Sequence, residues 1–240
     1  MKKYISMAVL FASGTVIANA ATILTTTFGN CAQTDATNVT LTNTWAEGLS
    51  GLGTVTGTVD SLVKTTDNAS INLLTTGTAG GDAAFFSPNT NFGTDSPWKT
   101  VFTYNNWNSV TSIDKITLSV GAFNANGRWQ TVGATWTGTI SFDVRFLDAT
   151  TGAVLANGEF SESKTGTDGD RLKGTGDKNT WTFDCTGTPI TFDNVSSVKV
   201  EISNKKENWS GGTFVGLNSV SFSGSVVPEP SAFGLSLIHI

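Results

Sequence analysis

The stretch Thr139-Ile140-Ser141-Phe142-Asp143-Val144-Arg145-Phe146 alternates without a slip. Ile140, Phe142, Val144 and Phe146 fall on one side of an extended chain, and Ser141, Asp143 and Arg145 on the other. A side-chain period of two is that of a β-strand with one face in a core and one in water. Working outward, the same parity predicts strands over Asp114 to Val120, with Ile116, Leu118 and Val120 inward, and over Ser197 to Ser203, with Val198, Val200 and Ile202 inward. Val154 to Phe160 reads the same way. Further strands are expected at Val39 to Trp45, Thr54 to Val59, Ser70 to Leu74, Lys99 to Tyr104, Thr180 to Cys185 and Thr213 to Ser223. No segment between Thr22 and Ser223 shows helical apolar spacing over three turns. Gly, Asn, Asp and Ser instead punctuate the chain at intervals of roughly eight to twelve residues, as in a sandwich or barrel. With no linker or change of composition, these strands predict one all-β domain over residues 21–224: a single antiparallel two-sheet β-sandwich of jelly-roll type. The Gly/Asn/Asp-rich stretches Thr75 to Pro97 and Ser163 to Asn179 are expected as loops at its ends, where function varies.

Composition narrows the chemistry. Of 240 residues, 39 are Thr and 26 Gly, yet 38% are hydrophobic and 10% aromatic, enough to bury a core. The one histidine is His239, and Tyr104 is the one tyrosine beyond the first twenty residues. Histidine general bases, Ser-His-Asp triads and His-rich metal sites are thereby set aside. The two cysteines, Cys31 and Cys185, form neither a CxxC pair nor a Cys/His cluster, so no zinc site, redox site or other cofactor is expected.

The N-terminus has Lys2 and Lys3, an apolar run from Ile5 to Ile17 and the small-x-small site Ala18-Asn19-Ala20. This is the pattern of a secretory signal peptide over residues 1–20, cleaved by signal peptidase to leave Ala21 first. Loss of Lys2 and Lys3 takes 14 basic residues to 12 against 19 acidic ones, so the net charge moves from −5 to −7. No basic cluster remains to meet nucleic acid or an anionic membrane. In an exported protein Cys31 and Cys185 can pair as a disulfide; the alternative is two small buried apolar residues.

Seven tryptophans are many for this length. Parity assigns Trp45, Trp136 and Trp181 to the core, since they share faces with Val39 and Leu41, with Ile140 and Phe142, and with Phe183 and Cys185. Trp98, Trp107, Trp129 and Trp209 sit instead among polar residues. An aromatic face covers the C–H side of a sugar ring, while amides and charged groups bond its hydroxyls. The candidate ligand-binding residues are therefore Trp107, Trp129 and Trp209 with Asn106, Asn108, Arg128 and Asn208, next to Asn126 and Gln130. The alternative is that each ring folds back as a lid on the core. Asp168, Asp170 and Asp177 offer oxygen ligands for calcium, but Leu172 breaks an EF-hand spacing, and a solvated acidic loop is the preferred reading. A sandwich glycosidase needs two carboxylates about 5 to 10 Å apart. Of the six glutamates, Glu159 and Glu162 would point to opposite faces of one strand. No catalytic residues are assigned, and the chain is expected not to be an enzyme.

The C-terminal run Val227-Pro228-Glu229-Pro230-Ser231-Ala232-Phe233-Gly234-Leu235 cannot continue a strand. It resembles the start of a PEP-CTERM sorting signal, found on exported proteins of Gram-negative bacteria. In that family the motif precedes a membrane-spanning helix and an Arg-rich end, and an exosortase-type enzyme processes it. Residues 225–240 are thus expected to be a sorting tail with Val227, Pro228, Glu229 and Pro230 as its motif. Only ten residues follow Pro230, too few for a spanning helix, so the tail reads as truncated. The run Gly216-Leu217-Asn218-Ser219-Val220 within the last strand resembles the closing strand of jelly-roll carbohydrate-binding modules. The two resemblances imply a cell-surface or extracellular-matrix protein, transiently membrane-anchored in its full-length form, that is non-catalytic and adheres to or binds polysaccharide. The alternatives are a purely structural matrix protein and a glycan-active hydrolase.

Overall fold

The computed structural model describes residues 21–28, 40–65, 73–74, 87–88, 98–123, 137–166, 180–193, 195–210 and 214–226. These form strands β1 (Thr22–Thr27), β2 (Thr40–Trp45), β3 (Thr56–Lys64), β4 (Leu73–Leu74), β5 (Ser87–Pro88), β6 (Trp98–Asn105) and β7 (Val110–Phe123). They continue with β8 (Thr137–Asp148), β9 (Val154–Gly166), β10 (Thr180–Asp184), β11 (Ile190–Thr191), β12 (Ser197–Ser210) and β13 (Phe214–Val226). Among the described residues no helix is long and apolar enough to cross a membrane.

Every described pairing is antiparallel, and the strands lie in two facing layers. One layer runs β10-β7-β13-β1, with β11 also on β7, and the other runs β3-β6-β12-β8-β9. Strand β2 joins them along one side. Its Thr40 and Leu41 pair with β3, while Thr42, Asn43, Thr44 and Trp45 pair with β1, so hydrogen bonding turns the corner without a free edge. On the other side β9 and β10 are edges with no further strand among the described residues, and the rings of Phe160 and Phe183 approach to 6.4 Å between them. The chain crosses between layers from β6 to β7, β7 to β8, β9 to β10, β11 to β12 and β12 to β13. The result is the antiparallel jelly-roll-type sandwich that the alternating sequence predicts.

The core follows the parity. Ile140, Phe142, Val144, Phe146, Ile116, Leu118, Val120, Val198, Val200 and Ile202 are all 0% exposed. Each such side chain contributes about 1.5 to 3 kcal/mol by leaving water. Rings from the two layers interlock, Phe146 against Phe222 at 5.9 Å and Phe142 against Trp181 at 5.1 Å. Trp181, with Phe183 and Cys185, is buried as expected, whereas Trp45 is half-buried and donates Nε1–H to Gly53 O at 2.7 Å. Trp136 lies outside the described residues.

Two local expectations are corrected, and one strand is added that the alternation did not name. Val154 is exposed, because Asn157 adopts a left-handed φ of 58° and the register shifts opposite Arg145 and Leu147, which breaks the alternation at this edge strand. The same strand runs on to Gly166, so Ser163–Gly166 belong to it and not to a loop. Strand β1 escapes the pattern altogether. A register shift between Thr22 and Leu24 buries the adjacent Ile23 and Leu24, and the third inward position is a threonine. Thr26 is tolerated in the core because its hydroxyl donates to Asn43 Oδ1 at 2.6 Å and meets Tyr104 Oη at 3.1 Å.

The two outer faces differ in kind. On the second layer, ion pairs link Lys199 to Asp60 at 3.3 Å, Lys99 to Glu201 at 3.4 Å, and Arg145 to Glu159 and Glu201 at 2.9 and 3.2 Å. On the first layer, Thr182, Thr117, Ser221, Thr25 and Thr44 stand opposite one another across β10, β7, β13, β1 and β2. Two residues along each strand, Thr180, Ser119, Ser219, Thr27 and Thr42 form a second row in the same order. None of these hydroxyl side chains is buried.

Candidate functional site

The ends of the sandwich are unlike. At one end short turns join the strands, and side chains brace them. The Asp148 carboxylate accepts from the backbone N–H groups of Thr150 and Thr151 at 2.7 and 2.8 Å, and Asp184 accepts from Thr186 N–H at 3.0 Å. Both carboxyls are thereby held below the usual carboxylate range, Asp148 chiefly by Thr151 N–H and Asp184 chiefly by Thr186 N–H. The opposite end carries the long connections. Register places the ends of β1 and β3, the starts of β2 and β6, the β7/β13 junction and the β8/β9/β12 junction at that end. The described strands on either side of residues 29–39, 66–97, 124–136, 167–179 and 211–213 all terminate there.

The candidate ligand residues divide between the two ends. Asn106, Trp107 and Asn108 lie at the short-turn end, where the structure corrects the reading of Trp107. Asn106 takes a left-handed φ of 60° and donates Nδ2–H to Thr54 O at 3.2 Å, and the short 3-10 turn Trp107–Ser109 then drops the indole inward. Trp107 is 0% exposed and packs on Tyr104, Phe222 and Phe192 at 5.4, 5.6 and 5.7 Å. It is a lid on the core, while its neighbours Asn106 and Asn108 face water. Trp98 is also core, 2% exposed and edge-on to Phe142 at 6.2 Å. Its parity with Thr100, Phe102 and Tyr104 was the signal that its polar neighbours masked.

Asn208 and Trp209 lie at the loop-bearing end, in a bulge of β12 between the Glu207↔Thr139 and Ser210↔Thr137 pairs. Asn208 is exposed with φ 51°. Gly138 permits the bulge: its φ is +107°, and a Cβ there would lie 2.5 Å from Asn208 O. Bulges of this kind re-aim side chains at sheet rims. Arg128, Trp129, Asn126 and Gln130 lie outside the described residues. Asp168, Asp170 and Asp177, Cys31 and the motif Val227-Pro228-Glu229-Pro230 also lie outside them. Among the described residues no cluster of His, Cys, Asp or Glu could hold a metal.

Beneath this end, the inner face of the second layer turns polar, which reading the sequence by segments missed. Asn204 and Lys206 continue the inward parity of Val198, Val200 and Ile202, and they are 1% and 4% exposed. Asn204 donates Nδ2–H to Ser141 O at 3.3 Å, while its buried Oδ1 finds no donor among the described residues. Across β8 and β9, Glu162 stands opposite Phe142 and Lys164 opposite Ile140, with Lys164 Nζ 5.7 Å from the Trp181 ring. The adjacent lysines part company: Lys205 pairs with Glu207 at the surface, while Lys206 points in.

Burial pushes the Lys206 ammonium down to about 8. The folded state therefore carries the cost of this charge below that value, and sheds it as pH rises toward the unfolded value of 10.5. Lys206→Met is expected to raise the Tm at pH 7 by roughly 3 to 8 °C. The gain shrinks as pH rises from 8 to 10.5, a difference that paired thermal melts across this range read directly.

Cys185 is a buried free thiol that donates to Ile113 O at 3.5 Å. Burial, and then the charges of Asp114 and Asp184, push it up to about 11. Cys185 should react with iodoacetamide at pH 8 only after unfolding.

Tyr104 is equally withdrawn from chemistry. Its hydroxyl is buried against Thr26, and burial raises its ionisation well above the usual tyrosine range.

No protein-family model and no curated protein matches this chain. Similar solved structures include a carbohydrate-binding module, CBM28, specific for non-crystalline cellulose. It has a TM-score of 0.36 and 14% identity, over 69% of this chain and 89% of that one. Another is a family two carbohydrate esterase from Cellvibrio japonicus, with a TM-score of 0.24 and 15% identity, over 73% of this chain and 36% of that one. Likeness at this level shows neither a shared site nor a shared ligand.

Proposed function

We propose that this chain is an exported, non-catalytic sandwich protein that contacts glycans through its loop-bearing end, at the surface or in the matrix of a Gram-negative bacterium. The observation that carries the reading is that the strands on either side of residues 29–39, 66–97, 124–136 and 167–179 all terminate at one end of the sandwich. The β12 bulge at Asn208 and Trp209 lies at that end, and β7 and β8, which flank the segment containing Arg128 and Trp129 in sequence, terminate there too. The ligand set accordingly contracts to Arg128, Trp129, Asn208 and Trp209, and Trp107, Asn106 and Asn108 leave it. A non-catalytic role is supported by the carboxylates that can be followed. Glu159 and Glu201 both hold Arg145, and Glu162 faces the interior beside Phe142. Export and sorting rest on the Lys2-Lys3 leader, the Ala18-Asn19-Ala20 site and the Val227-Pro228-Glu229-Pro230 motif.

A glycan array probed with the mature chain tests the binding. Trp129→Ala and Trp209→Ala should each weaken the strongest signal by roughly tenfold or more, the worth of one stacked ring with its hydrogen bonds. No signal above background would favour a matrix protein without a ligand site, and release of reducing sugar would favour a hydrolase. An N-terminus that begins at Ala21 after expression in a Gram-negative host supports export, and retention of residues 1–20 counts against it.

A further inference from the structure

We propose that the hydroxyl-bearing outer face of the first layer is a docking surface for the ordered face of an uncharged, insoluble polysaccharide. The two rows defined above place ten Ser and Thr side chains on five adjacent strands. Their spacing is about 4.8 Å across the strands and about 6.6 Å along them. Neither row contains a charged side chain, the nearest charges on this face being Asp184 and Lys115, which stand opposite each other in the next row, whereas the other outer face is laced with ion pairs. An uncharged lattice of short hydroxyls has nothing to offer phosphate or an anionic membrane. It suits a partner that presents hydroxyls and C–H groups at a regular repeat.

Threonine serves this purpose because it carries both a methyl and a hydroxyl on a side chain stiff at χ1, so docking freezes little motion. Some order is already present, since Thr25 Oγ1 and Ser221 Oγ lie 3.0 Å apart across β1 and β13. Single contacts of this type are weak, and retention comes from their repetition over one solid surface. This surface shares only the ligand class with the loop-bearing end and uses none of its residues.

Depletion of the mature chain by microcrystalline cellulose and by crystalline chitin tests the proposal. Wild type should be retained on at least one solid, and Thr25→Lys with Thr117→Lys should cut the partition coefficient at least about tenfold. Ser141→Lys with Ser161→Lys, on the opposite outer face, should leave it unchanged. If the lysine pair lowers the Tm, Thr25→Val with Thr117→Val removes the hydroxyls without charge and should still reduce retention. Absence of wild-type retention, or retention unaffected by either row variant, overturns the proposal. Trp209→Ala should spare retention on the solid. If it alone abolishes retention, the loops hold the polysaccharide and this face does not, and the loop reading stands. A dimer that the lysine pair dissociates, without retention on either solid, assigns the face to a second copy and also overturns it.

Discussion

Trp107→Ala is expected to lower the unfolding free energy by about 3 to 5 kcal/mol, or roughly 8 to 15 °C in Tm, and to leave glycan binding by the folded fraction unchanged. The indole is wholly buried among Tyr104, Phe192 and Phe222, so truncation empties a ring-sized space that both layers line. Relaxation is limited because Trp107 N–H is tied to Ser196 O at 3.0 Å and Ser109 Oγ–H to Leu52 O at 3.1 Å, which pins the turn that carries the ring. The buried Nε1–H finds no acceptor among the described residues, so part of the transfer cost is already carried in the native state. Trp107→Phe, which discards that polar group and keeps a ring, should therefore cost much less than the alanine. Urea melts of the three proteins check the order. A Trp107→Ala protein as stable as wild type but defective in binding would reverse the assignment of this ring to the core.

Gly224→Ala should be at least as damaging, with a loss of about 3 kcal/mol or more and poor soluble yield. At Gly224 the register of β13 against β7 slips, and the two backbones approach so closely that an added Cβ would lie 2.0 Å from Ser112 O. A backbone oxygen cannot rotate away as a side-chain tip can, so β7 or β13 must shift. Both are central strands of the first layer, and Ile113, Val110 and Val226, which flank the slip, are buried. Thermal melts of Gly224→Ala beside Gly152→Ala give the contrast. Gly152 has left-handed φ but open space around it, so its cost should be the smaller, backbone one.

Much of the fold was legible because apolar alternation is a local property. From Thr139 to Phe146 in β8, from Val198 to Ile202 in β12 and from Ile116 to Val120 in β7 each inward residue is apolar and each outward one polar, so parity names the core without knowing the partners. Parity failed where a neighbouring strand rewrote it. Ile23 and Leu24 are both buried only because β13 accommodates a slip, and Val154 is exposed only because Asn157 turns the edge strand. The inward Asn204 and Lys206 were visible as a continued period of two, yet composition argued for a surface.

The candidate site was less legible. Polar neighbours in sequence made Trp98 and Trp107 look like loop residues, although a residue's exposure depends on its own direction from the backbone and not on that of the residues beside it. For Trp107 that direction came from one left-handed asparagine and a single 3-10 turn, a conformation that sequence spacing does not encode.

By itself, the sequence determined that this is an all-β chain with a strand-by-strand core, because those features reside in local period. Only the tertiary structure decided that the long connections share one end, that Trp107 seals the other, and that Ser and Thr side chains from five strands line up in rows. The reason is physical. Register between strands far apart in sequence sets these juxtapositions, and register comes from bulges, corner strands and ring packing across the sandwich.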